Sequence, residues 1–192
     1  GIFGMDDLIA RLTEGSPEYQ ASLDPRIQAL VTFAPWGGDF GVFTPSALAG
    51  IQVPSLFIAG KQDQTSGYAN IEGFFENAIN SDRYLLAYES AIHEVAVNPA
   101  PPLAGLHYRE FIHYQEPGWD NRRLNNINQH FITAFLGKYI QGDAARFEPY
   151  LDLKQPISND SPRTEAGDTD GSYWTGFPNY SAIGMEFRHL TP

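Results

Sequence analysis

Residues Ile51–Asn98 read IQVPSLFIAGKQDQTSGYANIEGFFENAINSDRYLLAYESAIHEVAVN. The order of runs in this stretch is strand, acidic turn, helix, strand, histidine turn. Val53–Ala59 is an apolar run with Pro54 near its start and Gly60 after its end, the pattern of a buried parallel strand, and Asp63 follows three residues past that glycine. Ala69–Ile79 has helical spacing that puts Ile71, Phe74, Phe75, Ala78 and Ile79 on one face. Arg83–Tyr88 is a second apolar segment, and the turn beyond it carries His93. Parallel strands joined by a helical crossover point the same way. Asp63 and His93 are therefore expected at the same carboxyl edge of a sheet, where α/β folds keep their sites.

Composition narrows what this unit can be. The sequence has 192 residues, 42% of them hydrophobic, enough for a sizeable core in one domain. Without cysteine it has no disulfide and no thiolate metal site. A net charge of −11 argues against nucleic acid and against an anionic membrane surface as partners. No apolar run approaches the roughly 20 residues of a membrane span. The first residues, GIFGMDDLIARL, lack the basic and apolar regions of a signal peptide.

Outward from the central block, Met5, Leu8, Ile9 and Leu12 repeat with helical spacing, and Gly15, Ser16 and Pro17 end that helix. A polar connection, PEYQASLDPR, leads to IQALVTFAP, which reads as a buried strand ending at Pro35, Trp36, Gly37 and Gly38. Trp36 thus falls at a strand's carboxyl end and is a candidate for substrate binding, with a core or rim aromatic as the plainer reading. Beyond His93, residues 98–121 are proline-rich and aperiodic, as in a capping or functional loop. Asp120 or Asn121 then caps a helix whose stripe is Leu124, Ile127, Phe131, Ala134, Phe135 and Lys138, with Gly142 closing it. The tail ends in YWTGFPNYSAIGMEFRHL, read as a hairpin or edge strand.

An acid after one strand and a histidine after the next is the chain order of an α/β-hydrolase downstream of its nucleophile. DPRIQALVTFAPWGG, VPSLFIAGKQDQTSGY and SAIHEVAVN resemble the last three core strands and the acid and histidine turns of the dienelactone hydrolase and platelet-activating-factor acetylhydrolase-like branch. NNINQHFITAFLGKYIQGD resembles that family's terminal helix, and WTGF with IGMEFRHL is similar to a C-terminal extension of some bacterial members. The resemblance covers most of residues 24–142. It implies an α/β fold, the C-terminal part of an α/β-hydrolase with parallel strands and crossover helices. Residues 1–142 would form that portion and residues 143–192 an extension packed on it. By the same resemblance Asp63 is the triad acid and His93 the general base of a carboxylic ester hydrolase that needs no cofactor or metal.

Histidine near neutrality can take a proton from a serine hydroxyl and return it to a leaving alkoxide. A carboxylate on the other ring nitrogen fixes the tautomer and stabilises the imidazolium. As isolated residues, Asp63 reads as a turn residue and His93 as a structural histidine; one helix and one strand between them favour the pair. Gln62 and Ser66 read as turn formers. His107 and His113, with Glu110 and Glu116 nearby, lack a metal-ligand spacing and read as solvated or packing residues; His130 and His189 read as structural. Asp168–Gly171 resembles part of a calcium loop but lacks its first ligand and its bidentate glutamate.

No G-x-S-x-G occurs, and no serine stands between a buried strand and a helix in the way an exposed nucleophile elbow requires, Ser66 of the acidic turn reading as a turn former. Ser16 precedes a proline after a helix, the wrong context for an elbow. The expectation is therefore a fold incomplete without an N-terminal companion. That portion or separate chain would carry the serine elbow and part of the oxyanion hole, and the substrate would be a small-molecule ester. The reading from a different class is a non-catalytic binding or scaffold module that presents Trp36, Trp119 and the aromatic loop.

Overall fold

The computed structural model describes residues 13, 15–152, 174–177 and 181–192. The architecture is α/β, with helices on a four-stranded sheet of order β1-β2-β3-β4. In chain order the elements are α1 (Pro17–Ser22), β1 (Leu30–Phe33), α2 (Pro45–Ala49), β2 (Ser55–Gly60), α3 (Tyr68–Asn77), β3 (Arg83–Tyr88), α4 (Tyr108–Phe111), α5 (Asn121–Tyr139), α6 (Ala144–Phe147) and β4 (Met185–Leu190). The helix expected over Met5–Leu12 and the partial calcium-loop pattern at Asp168–Gly171 lie outside the described residues. Among the described residues no helix is long and apolar enough to cross a membrane.

β1, β2 and β3 run parallel, with Leu30 opposite Ser55 and Ser55 opposite Arg83. β4 adds to β3 antiparallel, Tyr88 opposite Met185 and Arg83 opposite Leu190, so the sheet is mixed. β2 and β3 are buried at every position, as expected of strands covered on both faces, including the polar residues that open them, Ser55 and Arg83. The crossover α3 buries Ile71, Phe74 and Phe75 against them, with Ala78 just past its end. Ile79 does not join that face as expected. The helix stops at Asn77, Ala78 leaves helical geometry at ψ 52°, and Ile79 is turned out to solvent.

On the other side α5 starts at Asp120, whose side chain accepts from the Arg123 N–H. Of the expected stripe, Leu124, Ile127, Phe131, Ala134 and Phe135 are buried, and Lys138 is half-buried with its ammonium 2.9 Å from Glu148. Each large side chain so buried contributes on the order of 1.5–3 kcal/mol. Phe131 stacks on Phe187 of β4 at 4.4 Å and meets Trp174 edge-on at 6.0 Å, so the tail closes the core around the helix.

Two readings of the first third need correction. The connection at residues 17–26 is partly helical: Pro17 at its first position and the Ser16 cap, accepting from the Tyr19 N–H, start α1. β1 is not a buried strand. It lies at the sheet's end with no residue fully buried, and Phe33 is 42% exposed. Among the described residues no strand pairs its outer side.

Candidate functional site

The acidic turn begins where β2 ends. Asp63 N–H donates to the Gly60 carbonyl at 3.1 Å, closing a turn. The Asp63 Oδ1 then accepts the backbone N–H groups of Thr65 (2.8 Å) and Ser66 (2.9 Å). Such a side-chain turn is a habit of aspartate, whose short carboxylate reaches its own backbone two or three residues on. Ser66 is buried rather than merely a turn former: its hydroxyl donates to the Ala34 carbonyl at 2.8 Å and ties the acidic turn to the end of β1. Ala34 takes φ 43°, an uncommon conformation for a residue with a Cβ.

The histidine turn follows β3 and rests on the acidic one. Lys61 N–H donates to the Tyr88 carbonyl at 2.9 Å and Gln62 N–H to that of Ala91 at 2.8 Å. Gly60 permits this approach, since a Cβ there would stand 2.1 Å from the Ile92 carbonyl oxygen. The far side of the turn is held by α5. Asn128 donates to the Val95 carbonyl (2.8 Å) and accepts from the Tyr88 hydroxyl (2.7 Å), while Asn125 donates to the Val97 carbonyl (3.0 Å). Glu116, read from the sequence as solvated or packing, is buried. It accepts the N–H groups of Ile92 (2.7 Å) and Gly118 (2.9 Å). Burial pushes its carboxyl above the ordinary range, and the two N–H bonds partly offset that.

Between these turns His93 Nδ1 lies 3.0 Å from Asp63 Oδ2. The Asp63 side chain is fully buried, whereas the imidazole is 34% exposed. An ionised carboxylate only accepts, so Nδ1 carries the proton and Nε2 is left with its lone pair free. Nε2 has no hydrogen-bond partner among the described residues. Such a pair can take up one proton at Nε2 and stabilise the resulting cation through the carboxylate behind it.

The lysine of the acidic turn is engaged by carboxylates. The Lys61 ammonium sits 2.5 Å from Glu89 and 2.6 Å from Glu186. Burial opposes its charge, but the two carboxylates outweigh it and raise its pKa, so it is no base at neutral pH. Trp36 is 57% exposed and packs on Phe40 at 4.7 Å between ring centres. His107 and His113 are exposed, His189 pairs with Asp82, and His130 lies among Phe131, Tyr150 and Phe177. No group of three or more potential metal ligands converges among the described residues. A cleft of about 540 Å³, lined by Phe33, Asn98, Arg122, Asn125 and Asn128 among others, lies beside the segment that follows His93 and does not include the pair.

Of the residues that hold the site, Asn128 left a sequence signal, an amide inside an otherwise apolar helical stripe. Glu116 left none, because the loop bearing it is aperiodic. No family model matches the chain, and no curated protein is significantly similar to it.

Proposed function

We propose that this chain carries the acid and base of a serine hydrolase of carboxylic esters, with the fold of the C-terminal part of an α/β-hydrolase. The observation that carries the reading is the His93 Nδ1 to Asp63 Oδ2 contact of 3.0 Å, with the carboxylate buried and Nε2 unpartnered. Its position beyond the carboxyl ends of two adjacent parallel strands, acid before histidine, agrees with the triad order of that fold. The nucleophilic serine belongs to an N-terminal portion or separate chain that completes the sheet beside β1. The outer side of β1, which no strand pairs among the described residues, and exposed Phe33 support this.

In the reaction, Nε2 takes the serine hydroxyl proton as the serine oxygen bonds to the ester carbonyl carbon. The oxyanion formed then collapses, the carbon–oxygen bond to the alcohol breaks, and the Nε2 proton goes to the leaving alkoxide. Water repeats the sequence on the acyl-enzyme and regenerates the serine. Asp63 stays ionised throughout and stabilises the imidazolium. The second reading, a binding module without turnover, draws on the exposed Trp36–Phe40 pair.

A fluorophosphonate probe applied to the chain assembled with its N-terminal portion is expected to label a serine outside residues 1–192. His93→Ala should lower ester hydrolysis by about three orders of magnitude or more. Labelling of a serine within this chain, or an undiminished rate in His93→Ala, would overturn the assignment. An assembly with no serine elbow and no hydrolysis leaves the binding module.

A further inference from the structure

The turn that presents His93 is held from both sides, and the two sides differ in kind. On one side α5 supplies neutral amides, Asn125 and Asn128. On the other a carboxylate comes from the proline-rich loop. We propose that Glu116 is a positioning residue for His93: its buried carboxylate fastens the loop before α5 to the backbone immediately ahead of the imidazole.

The geometry is specific. Oε2 accepts from the N–H of Ile92, the residue before His93, and Oε1 accepts from Gly118. Gly118 lies so close that a Cβ there would stand 2.5 Å from the Ser90 carbonyl oxygen, and Ser90 itself takes φ 60°. Trp119 completes the clamp, its indole N–H donating to the Glu89 carbonyl at 2.7 Å and its ring edge-on to Tyr88 at 5.0 Å. The loop thus touches residues 89, 90 and 92 in succession, all on the approach to His93.

A carboxylate is a costly choice for packing alone. Burial works against its charge, and among the described residues no cation lies within ion-pairing distance of it. What it provides is two acceptor oxygens on one side chain, each aimed at a different backbone N–H. A glutamine of the same shape provides one acceptor and sets an NH₂ group against the other N–H. The catalytic consequence of this role rests on the hydrolase reading; the positioning of the imidazole does not.

Two readouts therefore test it. In Glu116→Gln, the deshielded Nδ1–H proton of His93, assigned in proton NMR by its loss in His93→Ala, should shift or broaden as the contact to Asp63 loosens. In the assembled enzyme kcat should fall roughly 10- to 100-fold with KM little changed, the cost of a misplaced base. The melting temperature should stay close to that of the parent protein, because a buried charge is removed along with a hydrogen bond. Should Glu116→Gln not fold, Glu116→Asp carries the same readouts with both oxygens set one methylene back. Unchanged resonance and kcat overturn the positioning role while leaving the hydrolase reading intact. So does loss of stability with an unperturbed resonance, which makes Glu116 structural only. A perturbed resonance in a protein that hydrolyses no ester supports the positioning role and removes the hydrolase.

Discussion

Asp63 uses its two oxygens for different ends: Oδ1 builds its own turn through Thr65 and Ser66, and Oδ2 meets His93. Asp63→Asn separates these uses. The amide oxygen can still accept the two backbone N–H groups, but its NH₂ then faces Nδ1, which must become the acceptor. The proton moves to Nε2, the atom that receives one from serine in the proposed reaction. Under the proposed chemistry kcat is expected to fall on the order of 10⁴-fold with a nearly unchanged melting temperature. A rate within tenfold of the parent protein would separate Asp63 from the chemistry. At this scale the acid and the histidine were legible from their order in the chain, whereas Ser66 and Glu116 were not. Their roles depend on Ala34 and Ile92, residues 32 and 24 positions away.

Among the elements, α5 joins core and site. The stripe that buries Phe131 and Phe135 also carries Asn128, so the packing that seats the helix aims the amide at the histidine turn. His130 occupies the adjoining surface of the same helix, edge-on to Phe131, Tyr150 and Phe177, with its Nε2 buried and without a partner. Burial pushes the imidazole below its ordinary value of 6.5. The folded chain therefore keeps His130 neutral in a range where the unfolded chain protonates it. The unfolded state then binds more protons, and stability falls as pH drops below about 6.5 until the folded value is passed. His130→Phe removes this contribution. The fall in melting temperature between pH 7.5 and pH 5 should be smaller in the variant than in the parent protein, whatever their absolute stabilities. Equal falls would show that His130 does not couple to folding.

Across the whole molecule the two ends of the sheet differ. β4 closes one end with a full antiparallel pairing to β3 and with ion pairs from Arg188 to Glu72 and Glu76. At the other end β1 has no outer neighbour among the described residues, and Phe33, Trp36, Phe40, Val42 and Phe43 are exposed on or just after it. An open apolar strand edge invites pairing with another chain. The isolated chain is expected to self-associate with rising concentration in sedimentation velocity despite its net charge of −11. Phe33→Lys should reduce the association without altering far-ultraviolet circular dichroism. A parent chain that stays monomeric at high concentration would argue against the need for a companion at this edge.

The sequence by itself determined the elements whose burial is complete. β2, α3, β3 and α5 bury whole faces, so periodicity and end signals define them locally, and with them the placing of Asp63 and His93 beyond neighbouring strand ends. Where burial is partial, local signals misled: IQALVTFAP has the composition of a covered strand, and its exposure depends on what stands beside it. Ile79 continues a helical pattern that the backbone has already left. An edge strand in the tail was read from the sequence, but only the tertiary structure decided that it pairs antiparallel with β3, that Gly60 lets one turn lie on the next, and that Glu116 reaches Ile92. Each is a contact between residues distant in the chain, and hydrogen bonds of that kind leave no period in the sequence to read.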